Sequence, residues 1–389
     1  METFRSIVFW MHLGAGAVAG VVVLIMSVTG VALTYEKQMI EWADRTAWAA
    51  PSPADATPLS PETLLARVSA AQPGTAPLSV TLRADRSAPA TMQLADNKAL
   101  LVDPYTGGII GPPPAGLRSF FRTMTSWHRY LAMSGESRAT GKGISGAANL
   151  AFLFLVLSGL YLWVPRLWTW IQFKNVLWFR AGLTPKARDF SWHNVIGVWT
   201  AIPLAIVVAG AVPISYPWAS NLVYRLAGDT PPPPGAAAPA RTAERATVTY
   251  VSGGVDGAWA LSQAQIPDWR TMTTRLATSK KAPVTIAIDK GYAGQPQKRT
   301  TFTFDRASGS LTKAENFQSL TAGRQWRSWL RFAHTGEIYG LTGQTIAGLG
   351  SLGGAVLVYT GLALALRRLA GWIDRRRDRA SRAEQPRAA

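Results

Sequence analysis

Cysteine is absent from the 389 residues, which removes disulfides, thiolate zinc sites, iron–sulfur clusters and cysteine nucleophiles from the possible chemistry. Charge is scarce. Asp, Glu, Lys and Arg together make up 16% of the chain, against roughly one quarter in an ordinary soluble domain. Acids are the rarer sign, 22 against 40 Lys and Arg, for a net charge of +18. Histidine is rarer still, with four copies. Any metal chemistry must therefore be built from those four, from carboxylates, or from Met and Tyr.

What is abundant is apolar: 48% of the residues are hydrophobic, and they fall in four long runs. Leu13 to Leu33 carries no charge and, at about 21 residues, is long enough for a helix to cross some 30 Å of hydrocarbon. It is too long for the h-region of a cleaved signal, so it reads as an uncleaved anchor. The further runs are Ile144 to Val164, Val195 to Tyr216 and Leu341 to Leu366. The expected fold class is a membrane α-helical bundle of four transmembrane helices in two internal repeats, with two small periplasmic α+β domains.

Taken in order, residues 7–34 form transmembrane helix 1 and 36–118 a first soluble unit, entered through a linker containing Pro51, Pro53, Pro58 and Pro61. A short helix is expected from Pro61 to Ala71, with Pro in its first position. Strands follow at Leu78 to Leu82, Thr91 to Leu94 and Leu100 to Val102, ending in the turn Asp103-Pro104-Tyr105-Thr106-Gly107-Gly108. Residues 119–142 are an aromatic amphipathic segment with His128, and 144–164 are helix 2. After the loop 166–190 come helix 3 at 195–216 and a second soluble unit at 217–323, entered through Pro231 to Pro234. Its strands Val284 to Ile288 and Thr301 to Phe304 end in Asp305-Arg306-Ala307-Ser308-Gly309, a turn like the first. A segment with His334, 324–340, leads into helix 4 at 341–366 and a basic tail at 367–389.

The positive charge is placed asymmetrically. It concentrates in the short loop after Arg166 and in the tail with Arg367, Arg368, Arg375, Arg376, Arg377 and Arg379, so both are expected on the cytoplasmic side and both soluble units outside, in the periplasm of a bacterial inner membrane. The surplus charge is then accounted for by insertion and by contact with membrane lipid. Nucleic acid is not an expected partner.

This topology sorts the histidines. His12 and His193 stand at the cytoplasmic entrances of helices 1 and 3, and His128 and His334 precede helices 2 and 4 on the outside. Two imidazoles at each membrane surface, without a third protein ligand, suit an iron porphyrin held axially from both sides better than a bare metal, which wants more ligands. An iron porphyrin at each pair is therefore expected. Closing both axial positions favours electron transfer, with the protein tuning the cofactor. Gly16 and Gly197 follow His12 and His193 at i+4 and fit either a porphyrin face or close helix packing. Three of the four spans carry a hydroxyl–glycine pair, Thr29-Gly30, Ser158-Gly159 and Thr360-Gly361, where the third span has Ala209-Gly210. Arg129, Arg327 and Arg331 lie near the outer histidines and suit haem propionates or lipid phosphate. Glu337 suits orientation of the His334 ring or a helix cap, and most of the sixteen Trp, including Trp10, Trp127, Trp163, Trp192, Trp326 and Trp329, suit a headgroup belt.

Several motifs run through the whole chain: Ser27-Val28-Thr29-Gly30-Val31, Trp127-His128-Arg129, Ser158-Gly159-Leu160-Tyr161-Leu162-Trp163, Trp192-His193-Asn194-Val195-Ile196-Gly197-Val198-Trp199, Phe332-Ala333-His334-Thr335-Gly336-Glu337 and Thr360-Gly361-Leu362. With them the sequence resembles the PepSY-associated transmembrane family of iron-regulated bacterial inner-membrane proteins, which includes ferric-siderophore reductases. The resemblance implies two periplasmic PepSY-like domains, b-type haem on the paired histidines His12, His193, His128 and His334, and reduction of Fe(III) in an imported siderophore to Fe(II). The electrons would come from a cytoplasmic flavin, reductase or quinol. The alternatives are a non-redox PepSY protein that binds or regulates partners, and a haem protein exchanging electrons with quinones.

Overall fold

Four helices of the protein are long and apolar enough to cross a membrane, at Thr3–Leu33, Gly135–Trp163, Pro185–Ser215 and Glu337–Arg377. The computed structural model describes residues 2–48, 56–73, 77–95, 98–164, 169–233, 254–276, 283–292 and 294–384. Pro51 and Pro53 of the first linker, Pro234 of the second, Arg166 and residues 385–389 of the tail lie outside the described residues.

The helices are α1 (Glu2–Leu33), α2 (Glu36–Thr46), α3 (Pro61–Ala71), α4 (Ala115–Tyr130), α5 (Arg138–Trp163), α6 (Trp170–Leu177), α7 (Pro185–Ser215), α8 (Pro217–Leu226), α9 (Gly254–Gln265), α10 (Ala322–His334) and α11 (Gly340–Glu384). The strands are β1 (Pro77–Arg83), β2 (Ala90–Leu94), β3 (Ala99–Val102), β4 (Ile109–Gly111), β5 (Thr271–Arg275), β6 (Val284–Asp289), β7 (Arg299–Phe304) and β8 (Leu311–Asn316). Long helix, short helix, covering helix, four strands, His-bearing helix and long helix follow one another in the first half and again, after α6, in the second.

The long helices α1, α5, α7 and α11 close into a bundle in that cyclic order, each packed on the next, so that α1 and α7 stand diagonally. They run further than their apolar stretches. Helix α11 continues to Glu384 because Ala, Leu and Arg, which fill residues 362–384, are good helix formers whatever their polarity. Helix α7 starts at Pro185, where Pro occupies a position whose N–H has no helical partner anyway. His12 and His193 therefore lie well inside their helices, not at the entrances: about 15 Å and 12 Å from the first residue at 1.5 Å per residue.

The two expected α+β units share one sheet. All eight strands form a single antiparallel layer in the order β4-β3-β2-β1-β5-β6-β7-β8, joined where β1 pairs with β5 from Ser79↔Arg275 to Arg83↔Thr271. The seam removes an exposed edge from each half, and Thr81 and Thr273 share a hydroxyl hydrogen bond of 2.9 Å across it. One face is buried under α3 and α9, with Leu64, Val68 and Trp259 packed on Val80, Met92, Met272, Ile286 and Phe304. Both Asp turns form as expected. Asp103 accepts from the backbone N–H groups of Tyr105 and Thr106, Asp305 from those of Ala307 and Ser308, and Gly107 and Gly309 take the positive φ each turn requires.

Thr274 lies fully buried at the seam between Val80 and Ile286, and its hydroxyl has no partner. A buried hydroxyl without a hydrogen bond costs about 1 to 3 kcal/mol. Thr274→Val, which keeps the shape, is expected to raise the stability of the sheet unit by about 1 kcal/mol, read as later guanidinium unfolding followed by Trp fluorescence. Earlier unfolding would show that the hydroxyl does bond.

Candidate functional site

Helical spacing and topology bring the four histidines together two by two. His12 on α1 and His193 on α7 have ring centres 6.4 Å apart with planes at 85°. His128 on α4 and His334 at the end of α10 have ring centres 6.2 Å apart with planes at 46°. Seventeen residues of α1 separate His12 from Thr29, the neighbour of His128, so the pairs stand about 26 Å apart along that helix. The second pair lies at the end of the bundle nearer the sheet.

The hydroxyl–glycine pairs explain how each ring is held. His12 Nδ1 lies 2.8 Å from Ser158 Oγ, His193 Nδ1 3.0 Å from Thr360 Oγ1, and His128 Nδ1 3.0 Å from Thr29 Oγ1. Each of these hydroxyls gives its one proton to a carbonyl four residues back, that of Phe154, Val356 or Ile25. What remains on the oxygen is a lone pair, so the imidazole N–H must be the donor. In the span without a hydroxyl, His334 Nδ1 donates to the backbone carbonyl of Val207 at 2.8 Å. All four rings are thereby fixed with the proton on Nδ1 and a free lone pair on Nε2, the arrangement of a metal-binding histidine oriented by its outer partner.

The glycine beside each hydroxyl supplies room. A Cβ on Gly159 would lie 3.4 Å from His12 Cε1, one on Gly361 3.3 Å from His193 Cε1 and one on Gly30 3.5 Å from His128 Cε1. At Gly210 it would meet the Leu330 carbonyl at 2.6 Å and His334 Cβ at 3.2 Å. The glycines at i+4 serve a different purpose. A Cβ on Gly16 would lie 3.7 Å from Leu155 and one on Gly197 3.6 Å from Leu357, so each faces a leucine of a neighbouring helix.

Among the described residues, no three or more of His, Cys, Asp and Glu come together as a cation cage. Glu337, expected to orient the His334 ring or cap a helix, does neither. Glu337 pairs with Lys37 of α2 at 2.7 Å, because Val207 already occupies Nδ1 of His334. Arg327 donates to Ser220 on α8, and Arg129 and Arg331 lie over the rings of Tyr130 and Phe332. Of the tryptophans expected in a headgroup belt, Trp10, Trp127, Trp192, Trp326 and Trp329 are exposed, whereas Trp163 is half-buried with its ring N–H buried and unpartnered. The hydroxyl–glycine pairs stand out in the sequence only by their place late in three apolar runs, and their role appears once the fold sets each beside a histidine of another helix.

Fold and site define a membrane helical protein with an extramembrane antiparallel sheet and two imidazole pairs inside its bundle. The chain belongs to the PepSY-associated TM region family, whose model matches residues 9–368. A comparison with curated proteins finds no match.

Proposed function

We propose that the protein is a di-haem b electron carrier of a bacterial inner membrane. It would take electrons from a cytoplasmic flavin, reductase or quinol and deliver them at its periplasmic, sheet-bearing end to ferric iron held by a siderophore, releasing Fe(II). The observation that carries this reading is the spacing of the rings. Two imidazoles bound through Nε2 to one iron would place their ring centres about 6.4 Å apart, given a metal–nitrogen bond of about 2 Å and a ring radius of roughly 1.2 Å. The pairs here stand at 6.4 and 6.2 Å.

An iron porphyrin bound at each pair would supply reversible one-electron chemistry. The chain's own part is orientation and exclusion of water. Ser158, Thr360, Thr29 and the Val207 carbonyl hold Nδ1, and Gly159, Gly361 and Gly30 leave space beside the rings. The apolar layer of Ala19, Val23, Ala148 and Val358, with Phe152 and Leu362 against it, fills part of the bundle between the two levels.

Mixing dithionite-reduced protein with ferric siderophore tests the reading. Reoxidation of the protein is expected, with Fe(II) appearing in a ferrous chelator in matching amount. Reoxidation by a quinone with none by any ferric chelate would leave an electron carrier and remove the siderophore.

A further inference from the structure

An open groove of about 510 Å³ lies between α2, α4 and the start of α5. Its walls include Arg118, Arg122, Ser126 and Tyr130 from α4, Arg138 from α5 and Glu36 at the start of α2. Ser126 and Tyr130 stand two residues either side of His128, so the groove lies on the opposite face of α4 at about the level of His128, with the thickness of that helix between them.

The cations in this groove are not alike. Arg118 is committed to Asp44, with both of its terminal nitrogens on both carboxylate oxygens at 2.7 and 2.8 Å. Arg122 and Arg138 pair with no carboxylate among the described residues. Arg138 is held over the Tyr130 ring, 4.2 Å from its centre, which fixes the guanidinium without neutralising it. The acid lining the groove is Glu36, which forms no ion pair with either arginine among the described residues. Two guanidinium groups are thus left to face the groove with hydroxyls beside them, a donor set suited to carboxylate or phenolate oxygens.

The backbone gives a second observation. Leu131 and Ala132 both have positive φ, 52° and 59°, and no other described non-glycine residue does. Left-handed backbone is disfavoured for residues that carry a Cβ, so the surrounding structure has to hold it. Here the two residues end α4 and swing Met133, Ser134 and Gly135 round as the groove's rim, bringing Arg138 opposite Arg122.

We propose that this groove is the docking site for the ferric chelate and that it selects chelates carrying net negative charge, such as catecholate or hydroxycarboxylate complexes, over neutral or cationic hydroxamates. The inference rests on the reductase reading, but it is tested without electron transfer. Redox-inert gallium(III) complexes serve as probes, titrated by calorimetry against the full chain in zwitterionic nanodiscs. The anionic tris-catecholate complex is expected to bind at least ten-fold more tightly than a neutral tris-hydroxamate. Arg122→Gln with Arg138→Gln should remove that preference, while haem content stays at the level of the unaltered chain and reports intact folding.

Equal binding of both complexes, or a preference unchanged in the double variant, would overturn the proposal while leaving the haem spectrum and the reductase reading untouched. Loss of haem in the double variant would assign the arginines to propionates instead. Complete displacement of the catecholate complex by anionic lipid in the nanodisc would assign them to headgroups. If the spectrum showed no haem at all, the reductase reading would fail first, whatever the groove bound.

Discussion

Replacing His128 with alanine is expected to halve the haem bound per chain, from two to one, and to leave the remaining haem's spectrum unchanged. His128 and His334 face each other with ring centres 6.2 Å apart, and no third histidine, carboxylate or cysteine stands with them among the described residues. Nothing is placed to take over the vacated axial position, so the outer site loses half its ligands. The inner pair sits about 26 Å away along α1 and is held by a separate set of partners, Ser158 and Thr360. The retained haem should therefore carry the signature of the crossed pair, whose rings stand at 85°. The measurement is the pyridine haemochrome stoichiometry of His128→Ala set beside that of His12→Ala, which should lose the other haem. Two haems in either variant would mean that the ligands lie elsewhere.

A glycine substitution should reach nearly as far. In Gly361→Leu even the first added carbon lies 3.3 Å from His193 Cε1, closer than ordinary contact. The neighbour is an imidazole tied to Thr360 on the same turn, so giving way breaks the hydrogen bond that fixes its tautomer. Overpacking of this kind typically costs 1 to 3 kcal/mol in a well-packed interior. Here the cost falls on one site, and the inner haem is expected to be lost or to become five-coordinate while the outer one remains. Gly14→Leu provides the contrast. Its Cβ meets nothing within 4 Å, and replacing an exposed helical glycine adds up to about 1 kcal/mol of helix stability, so full haem content is expected. Loss of haem in Gly14→Leu as well would show that the effect is general and not steric at the ring.

Much of this was readable from residue order. Charge-free runs of bilayer length mark the four long helices, and the two Asp turns are fixed by side-chain chemistry that needs no tertiary context. The pairing of His12 with His193 and of His128 with His334 follows from counting crossings. Other features were hidden for physical reasons. Strand β5, Thr-Met-Thr-Thr-Arg, reads as polar although Met272 and Thr274 are fully buried, so the seam that joins the two units into one sheet has no apolar signature. The length of α11 was obscured because arginine ends an apolar run without ending a helix. The role of Thr29, Ser158 and Thr360 depends on which helices are neighbours, and hydropathy carries no such information. Glu337 looked like a partner for His334 because it lies three residues on; only the fold shows Lys37 waiting for it.

The most direct measurement is the visible spectrum of the purified full chain from haem-replete cells, taken with haem and protein quantified on the same sample. Two b-type haems per chain are expected, both six-coordinate and low-spin, with sharp bands on reduction. A colourless preparation, or one whose haem survives the loss of all four histidines, would contradict the role given to the two imidazole pairs.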